Sequence, residues 1–424
     1  MSCSARRPWV ALVFAGLVGC GGSATTPSVG DASADGAVVP APDAAGADAS
    51  ADAAAADASP PIGDEVRYPD RVLRSGDTIT LGIDVPDDAL AFVVTVAVEA
   101  GPWAASLRRL VAPSGEVLFD DEGERSSGLY HPNLRASLLA GTPYAFLYPN
   151  APDLALEPGT HEVEITAGAL AEEGVRVTPV AQDLTVSVDV TLRRAAEAPE
   201  RGAIDLAVWL ATPELDAQAA RTDTDLADAF ARMRDILGRA GLDVARIDFR
   251  DLDGPDAGAV RSLDDLARLF GRLHAGTALP IVLVSSIQLG PGRTVLGRTS
   301  GIPGPPPRRE LSRTGGVAIA LDAMAAGPAR FGARLAHEVA HYLGLGHTSE
   351  QDGSAHDPIA DTPECPASRA THFGPDGTPI LAAEDCLDRD GANLMFYTPA
   401  GSDLDQTVLT DGQSWVLLRS PAVR

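Results

Sequence analysis

Apolar positions recur with a period of two, or in short unbroken runs, across residues 62–195. The stretches 78–85 (TITLGIDV), 91–100 (AFVVTVAVEA), 161–168 (HEVEITAG) and 183–192 (DLTVSVDVTL) are separated by Gly, Pro and Asp turns. Successive side chains on a strand point to opposite faces, so this pattern predicts strands, and several short strands with turn-rich spacers predict an all-β sandwich. The pattern changes after residues 195–202 (AAEAPERG), a polar, Pro-containing linker. Residues 203–211, 244–252, 279–287 and 316–321 read as buried strands, while 226–239 and 263–274 carry apolar residues at helical spacing. A Gly/Pro/Arg loop at 289–315 follows, and a loop of that length inside a domain is more often functional than idle. Near the C-terminus, Thr410 and Gln413 are spaced as a capping box opening a last helix. The prediction is an α+β domain over 203–424 preceded by the sandwich at 62–195.

Ahead of the sandwich, residues 21–61 are nearly all Ala, Asp, Gly, Ser and Pro, without a positive charge or an aromatic ring. Such a segment buries too little apolar surface to order itself, so it reads as a disordered acidic linker. Residues 1–20 have a basic start at Arg6 and Arg7, an apolar run from Trp9 to Val18 and small residues ending in Cys20. This is the pattern of a secretory signal, too short for a membrane span. Leu17, Val18, Gly19 and Cys20 resemble the bacterial lipobox, whose cysteine is diacylated and becomes the first mature residue. A plain signal peptide cut nearby is the alternative. The resemblance implies an exported protein of the bacterial cell envelope, attached to a membrane by lipid on Cys20, since two or three acyl chains at ~0.8 kcal/mol per buried methylene suffice as an anchor.

Charge and cysteine usage narrow the partners. A net charge of −26 excludes nucleic acid, and every one of the 33 basic residues is arginine. With Cys3 in the signal and Cys20 in the lipobox, Cys365 and Cys386 are the pair left to the mature chain, and export predicts a disulfide between them. A second zinc site is the alternative, without the usual C-x-x-C spacing to support it.

The candidate chemistry lies in residues 337–347, HEVAHYLGLGH, which hold three of the chain's eight histidines. On a helix, His337 and His341 sit one above the other on the same face, with Glu338 beside the first. His347, ten residues from His337, joins them only if the chain bends back, and Gly344 stands where that bend is needed. Three neutral imidazoles and an open fourth position are the ligand set of catalytic rather than structural zinc, and Glu338 is left over as a base. The similar HEVEI at His161 has no second histidine at Ile165 and is assigned to a strand.

These residues resemble the metzincin zinc metallopeptidases, whose H-E-x-x-H-x-x-G-x-x-H helix is followed by a methionine turn. Residues 391–399 (GANLMFYTP) supply Met395 as that methionine, with Tyr397 at the M-x-Y position. Together with residues 357–366 (DPIADTPECP) and 409–421 (LTDGQSWVLLRSP), they are most similar to the pappalysin-like branch, over roughly residues 203–421. Thr348, Ala340 and Ser349 depart from patterns common among relatives. The resemblance implies Zn2+ on His337, His341 and His347, Glu338 as general base, Met395 beneath the metal, and Tyr397 stabilising the oxyanion. It also implies Ca2+ near Asp361 and Thr362, and protein or peptide substrates. The sandwich is similar, without a motif of its own, to accessory domains of secreted bacterial peptidases. The competing expectation is a non-catalytic, zinc-binding surface lipoprotein.

Overall fold

The computed structural model describes residues 64–424 apart from 75–76, 100, 122–138, 171–176, 253–257, 275, 290–293, 308–314, 375 and 398–403. Cys20, the expected signal at 1–20 and the expected linker at 21–61 therefore lie outside the described residues.

Residues 64–194 form β1 (Asp64–Leu73), β2 (Ile79–Val85), β3 (Ala89–Val98), β4 (Ala104–Val111), β5 (Val117–Asp120), β6 (Tyr144–Tyr148), β7 (Gly159–Leu170), β8 (Val177–Thr178) and β9 (Leu184–Arg194). They make two antiparallel sheets, ordered β1-β9-β3-β6 and β2-β7-β4-β5, with β8 paired to β7. Leu81, Ile83, Leu110, Val163 and Ile165 from one sheet meet Phe92, Val94, Phe146, Val188 and Val190 from the other in a single core. His161 lies fully buried in β7, within ring contact of Phe92 and Tyr148.

β3 and β6 explain why the apolar residues at 91–98 run together instead of alternating. Their inward positions fill the sandwich core, whereas Ala91, Val93, Ala145 and Leu147 on the opposite face belong to the core of the second domain. A strand buried on both faces needs apolar residues at every position.

The second domain begins with β10 (Gly202–Ala211), then α1 (Ala217–Ala220), α2 (Thr224–Arg239), β11 (Leu242–Asp251), β12 (Ala259–Val260), α3 (Leu263–Phe270) and β13 (Leu279–Val284). β14 (Ser286–Gln288), β15 (Thr294–Val295), β16 (Gly297–Thr299), β17 (Val317–Ala320), α4 (Pro328–Tyr342) and α5 (Asp411–Arg419) follow, with minor 3-10 turns and a two-residue hairpin between them. The main sheet is ordered β11-β10-β13-β17-β16, parallel except for the antiparallel β16. Ile204, Leu206, Val208, Ile281 and Ile319 on one face pack against Phe230, Met233, Phe331, Leu335 and Val339 of α2 and α4. Leu266, Leu269 and Phe270 of α3 cover the other face. The molecule is thus mixed α and β, with most of its regular structure in several sheets.

Three expectations need correction. The run 279–287 is not one strand: it breaks at Ser285, and β14 leaves the main sheet to pair with β12 and β15. Apolar composition cannot report which sheet a strand joins. The segment expected as loop from 289 to 315 contains β15 and β16. Gly297 has no side chain to mark a period, so pairing through the backbone leaves no trace in the pattern. The helix expected over 263–274 stops at Phe270, with Gly271 at its C-terminal cap.

Candidate metal centre

α4 begins with Pro328 in its first turn, where the missing N–H costs nothing, and buries Phe331, Leu335, Val339 and Tyr342 at helical spacing against the sheet. Its last turns carry His337, Glu338 and His341, each at most 3% exposed. The helix ends in two reverse hydrogen bonds, Gly344 N–H to His341 O (3.0 Å) and Leu345 N–H to Ala340 O (3.0 Å), with Gly344 at φ +118°. This glycine-dependent ending turns the chain back beneath the helix, as the spacing requires. It brings His347, fully buried, against His341.

The imidazoles are oriented by their second nitrogens. His337 Nδ1 lies 2.6 Å from Leu394 O, His341 Nδ1 lies 2.7 Å from Leu345 O, and His347 Nδ1 lies 3.1 Å from Glu350 Oε1. All three partners are acceptors, so each ring, when neutral, carries its proton on Nδ1 and leaves the Nε2 lone pair to face a metal. His341 Nε2 and His347 Nε2 stand only 3.1 Å apart, and one ligand atom from each of the three rings lies within 4.8 Å of the others. Two facing lone pairs repel unless a cation lies between them. Ligands at ~2.0–2.1 Å from a tetrahedral ion are roughly 3.3 Å apart, so the His341–His347 separation fits a shared zinc ion and the three-nitrogen donor set fits it in chemistry. Burial pushes the pKa of His337 down to about 3, which keeps this ring neutral and able to ligate.

The surrounding turn is tied to the last helix. Asn393 Oδ1 accepts from Met395 N–H (2.8 Å), and its amide donates to Gln413 Oε1 (2.9 Å) on α5. Gln413 also closes the capping box with Thr410, accepting from Thr410 N–H (3.0 Å) and donating its own N–H to Thr410 Oγ1 (3.1 Å). Met395 is fully buried in the core below α4, and Thr348 N–H donates to its carbonyl at 3.1 Å. The Tyr397 ring meets His347 edge-on, with centroids 4.8 Å apart. The site residues His337, Glu338, His341, His347, Met395 and Tyr397 therefore come together.

Asp361 and Thr362 lie elsewhere. Asp361 accepts from Thr410 Oγ1 and Gly412 N–H, both at 2.8 Å, and so fastens the start of α5. The Thr362 hydroxyl lies 2.6 Å from Ile359 O and against Asp357 Oδ1. Burial pushes the Asp357 carboxyl up to about 7. Cys365 and Cys386 form a disulfide. The acceptors that orient the imidazoles leave little trace in the sequence: the Leu394 and Leu345 carbonyls are invisible to side-chain motifs, and Glu350, three residues after His347, is the detectable signal.

No family model matches this sequence, and no curated protein matches it. Among solved structures, metalloproteinase-II from Bacteroides fragilis is similar over 40% of this chain at 13% identity, with a TM-score of 0.27. The chain spans about half, 52%, of that protein's length. The infectious bursal disease virus Gx strain structure matches 32% of each chain at 10% identity and TM-score 0.18. A family two carbohydrate esterase from Cellvibrio japonicus matches 54% of this chain and 68% of its own at 12% identity and TM-score 0.12. Likeness at these scores carries no argument about function, which rests on the site itself.

Proposed function

We propose that this protein is a zinc-dependent endopeptidase of the metzincin type, closest to the pappalysin-like branch. The observation that carries the proposal is the convergence of one ring nitrogen from each of His337, His341 and His347, with the Nε2 atoms of the last two 3.1 Å apart and Glu338 next to the first ligand on the helix. In this reading His337, His341 and His347 hold the metal. Zinc, when bound, supplies an acidified water and polarises the scissile carbonyl. Glu338 takes the water's proton and returns it to the leaving amine. The Tyr397 hydroxyl donates to the carbonyl oxygen as negative charge develops there. Substrates are proteins or peptides, because the ligand spacing and the M-x-Y turn resemble those of peptidases. The lipobox-like Leu17 to Cys20 supports an exported form anchored to the cell envelope by lipid on Cys20.

The test is Glu338→Ala in the full chain. Zinc content should stay at one ion per chain while cleavage of casein or gelatin falls below a few per cent of wild type. A wild type that binds zinc but cleaves neither casein nor a proteome-derived peptide library supports the competing reading, a zinc-binding surface lipoprotein.

A further inference from the structure

We infer that Glu350 is the positioning residue for the third metal ligand, an inference that rests on the zinc-peptidase reading. His337 and His341 are oriented by backbone carbonyls, Leu394 O and Leu345 O. His347 is oriented by a side chain, with Nδ1 at 3.1 Å from Glu350 Oε1. It also sits outside the helix, so no i,i+4 relation on α4 fixes its ring. A carboxylate acceptor holds the N–H more strongly than a neutral carbonyl and makes the opposite nitrogen a better donor to a metal.

The protein holds this carboxylate on a rigid support. Ser349 and His356 form an antiparallel bridge, Glu350 N–H donates to Ala355 O (2.9 Å), and Gly353 N–H donates to Glu350 O (2.9 Å), closing a tight hairpin directly after the ligand. Leu381 N–H donates to Gln351 O (2.8 Å) and pins the hairpin from outside. At its base, Ser349 Oγ donates to the buried Asp390 carboxylate (2.6 Å) and accepts from Cys365 N–H (2.9 Å), whose residue belongs to the disulfide. Glu350 is itself largely buried, with its side chain 13% exposed. The hairpin thus preorganises the hydrogen bond, the condition under which an outer ligand sets both ring angle and affinity.

The experiment compares wild type, Glu350→Ala, Glu350→Gln and Glu350→Asp as full chains, with Glu364→Gln, an exposed carboxylate beyond the hairpin, as a control for loss of one charge. Circular dichroism and thermal melting establish that each variant is folded. The first readout needs no metal: in ¹⁵N-histidine-labelled apoprotein, the His347 Nδ1–H should give a downfield, slowly exchanging proton signal. It should be lost in Glu350→Ala and kept in Glu364→Gln. The second is zinc affinity by competition with a chromogenic chelator. Glu350→Ala should bind roughly 10- to 100-fold more weakly, Glu350→Gln should fall between it and wild type, Glu350→Asp should recover part of the loss, and Glu364→Gln should match wild type. A folded Glu350→Ala that retains the proton signal or wild-type affinity overturns the inference. Absence of that signal in wild type overturns it as well. A wild type that shows the signal but takes up no zinc instead refutes the zinc-peptidase reading and leaves the Glu350–His347 hydrogen bond established.

Discussion

Leu147 Cδ2, on the outer face of β6, lies 2.7 Å from the point where a β-carbon on Gly344 would sit. The sandwich therefore packs directly against the turn that carries the chain from the second histidine to the third. Gly344 is required there twice over: its φ of +118° is one that side chains rarely adopt, and Leu147 occupies the space a side chain would need.

Gly344→Ala should accordingly destabilise by at least about 1–3 kcal/mol, the range for a residue held in a sparsely populated backbone region. Leu147→Ala should recover only part of that loss, because it removes the steric conflict and leaves the backbone strain. A double-mutant cycle by urea denaturation measures this: a coupling energy of zero would mean that the sandwich does not press on the turn.

Gly297 on β16 has a similar relation to the proposed base. A β-carbon there would sit 2.7 Å from Glu338 Oε1 and Cγ. Gly297→Ala should shift the carboxylate away from its working position, so kcat should fall by at least about tenfold, since misplacement by ~1 Å costs about 10²-fold. Zinc content should not change, as no ligand moves. Parallel measurement of kcat and bound zinc checks this, and loss of both together would locate the damage in the fold rather than in the base.

The three-histidine cluster was legible in the sequence because it depends on intervals of four and six residues, and helical geometry converts those into a face and a turn. Strands β2, β7 and β9 were legible through their alternation. β1 was not: it is exposed at nearly every position as an edge strand, so no apolar period marks it. β6, YAFLY, was hidden for the opposite reason, since both its faces are buried and only the folded arrangement of two domains explains its composition. Glu350 shows the limit of motif reading. Its spacing from His347 is visible, but that its carboxylate meets Nδ1 depends on a hairpin closed by backbone bonds.

Removing the bridge between Cys365 and Cys386 by a double serine substitution should lower stability by ~3 kcal/mol, as expected for closing a loop of this size. The loss should also reach the metal. Cys365 N–H holds Ser349 Oγ at the base of the Glu350 hairpin, so zinc affinity should fall with the stability. Denaturation with and without reductant, together with chelator competition, measures both effects. Two free thiols in the non-reduced wild type would remove the prediction.

His161 makes the sandwich sensitive to acid. Burial in the aromatic core lowers its pKa, against a smaller opposing effect of Glu157. The folded state then binds fewer protons than the unfolded state, where the ring titrates near ~6.5. The contribution is fully present above that pH and is lost progressively as pH falls below it, toward the depressed folded value. His161→Leu removes the term, so the stability difference between wild type and variant should move in the variant's favour on going from pH 7.5 to pH 5. A difference independent of pH would show that His161 stays accessible to protons in the folded protein.

Tyr397 distinguishes a catalytic from a packing role at the edge of the site. Its ring meets His347 edge-on at 4.8 Å between centroids and is 6% exposed, so it fills space beside that imidazole whatever its hydroxyl does. Tyr397→Phe keeps the ring and removes the donor. If the hydroxyl stabilises charge that appears only in the transition state, kcat should fall by roughly 10- to 10³-fold, about 1.4–4 kcal/mol, with KM little changed. Zinc affinity should hardly move, because the three imidazoles and their acceptors remain. A ring that only packs predicts the reverse: normal turnover per folded, zinc-loaded molecule and a small change in melting temperature. Steady-state kinetics on active-site-titrated enzyme separate the two, and an unchanged kcat would leave the developing charge without its proposed donor.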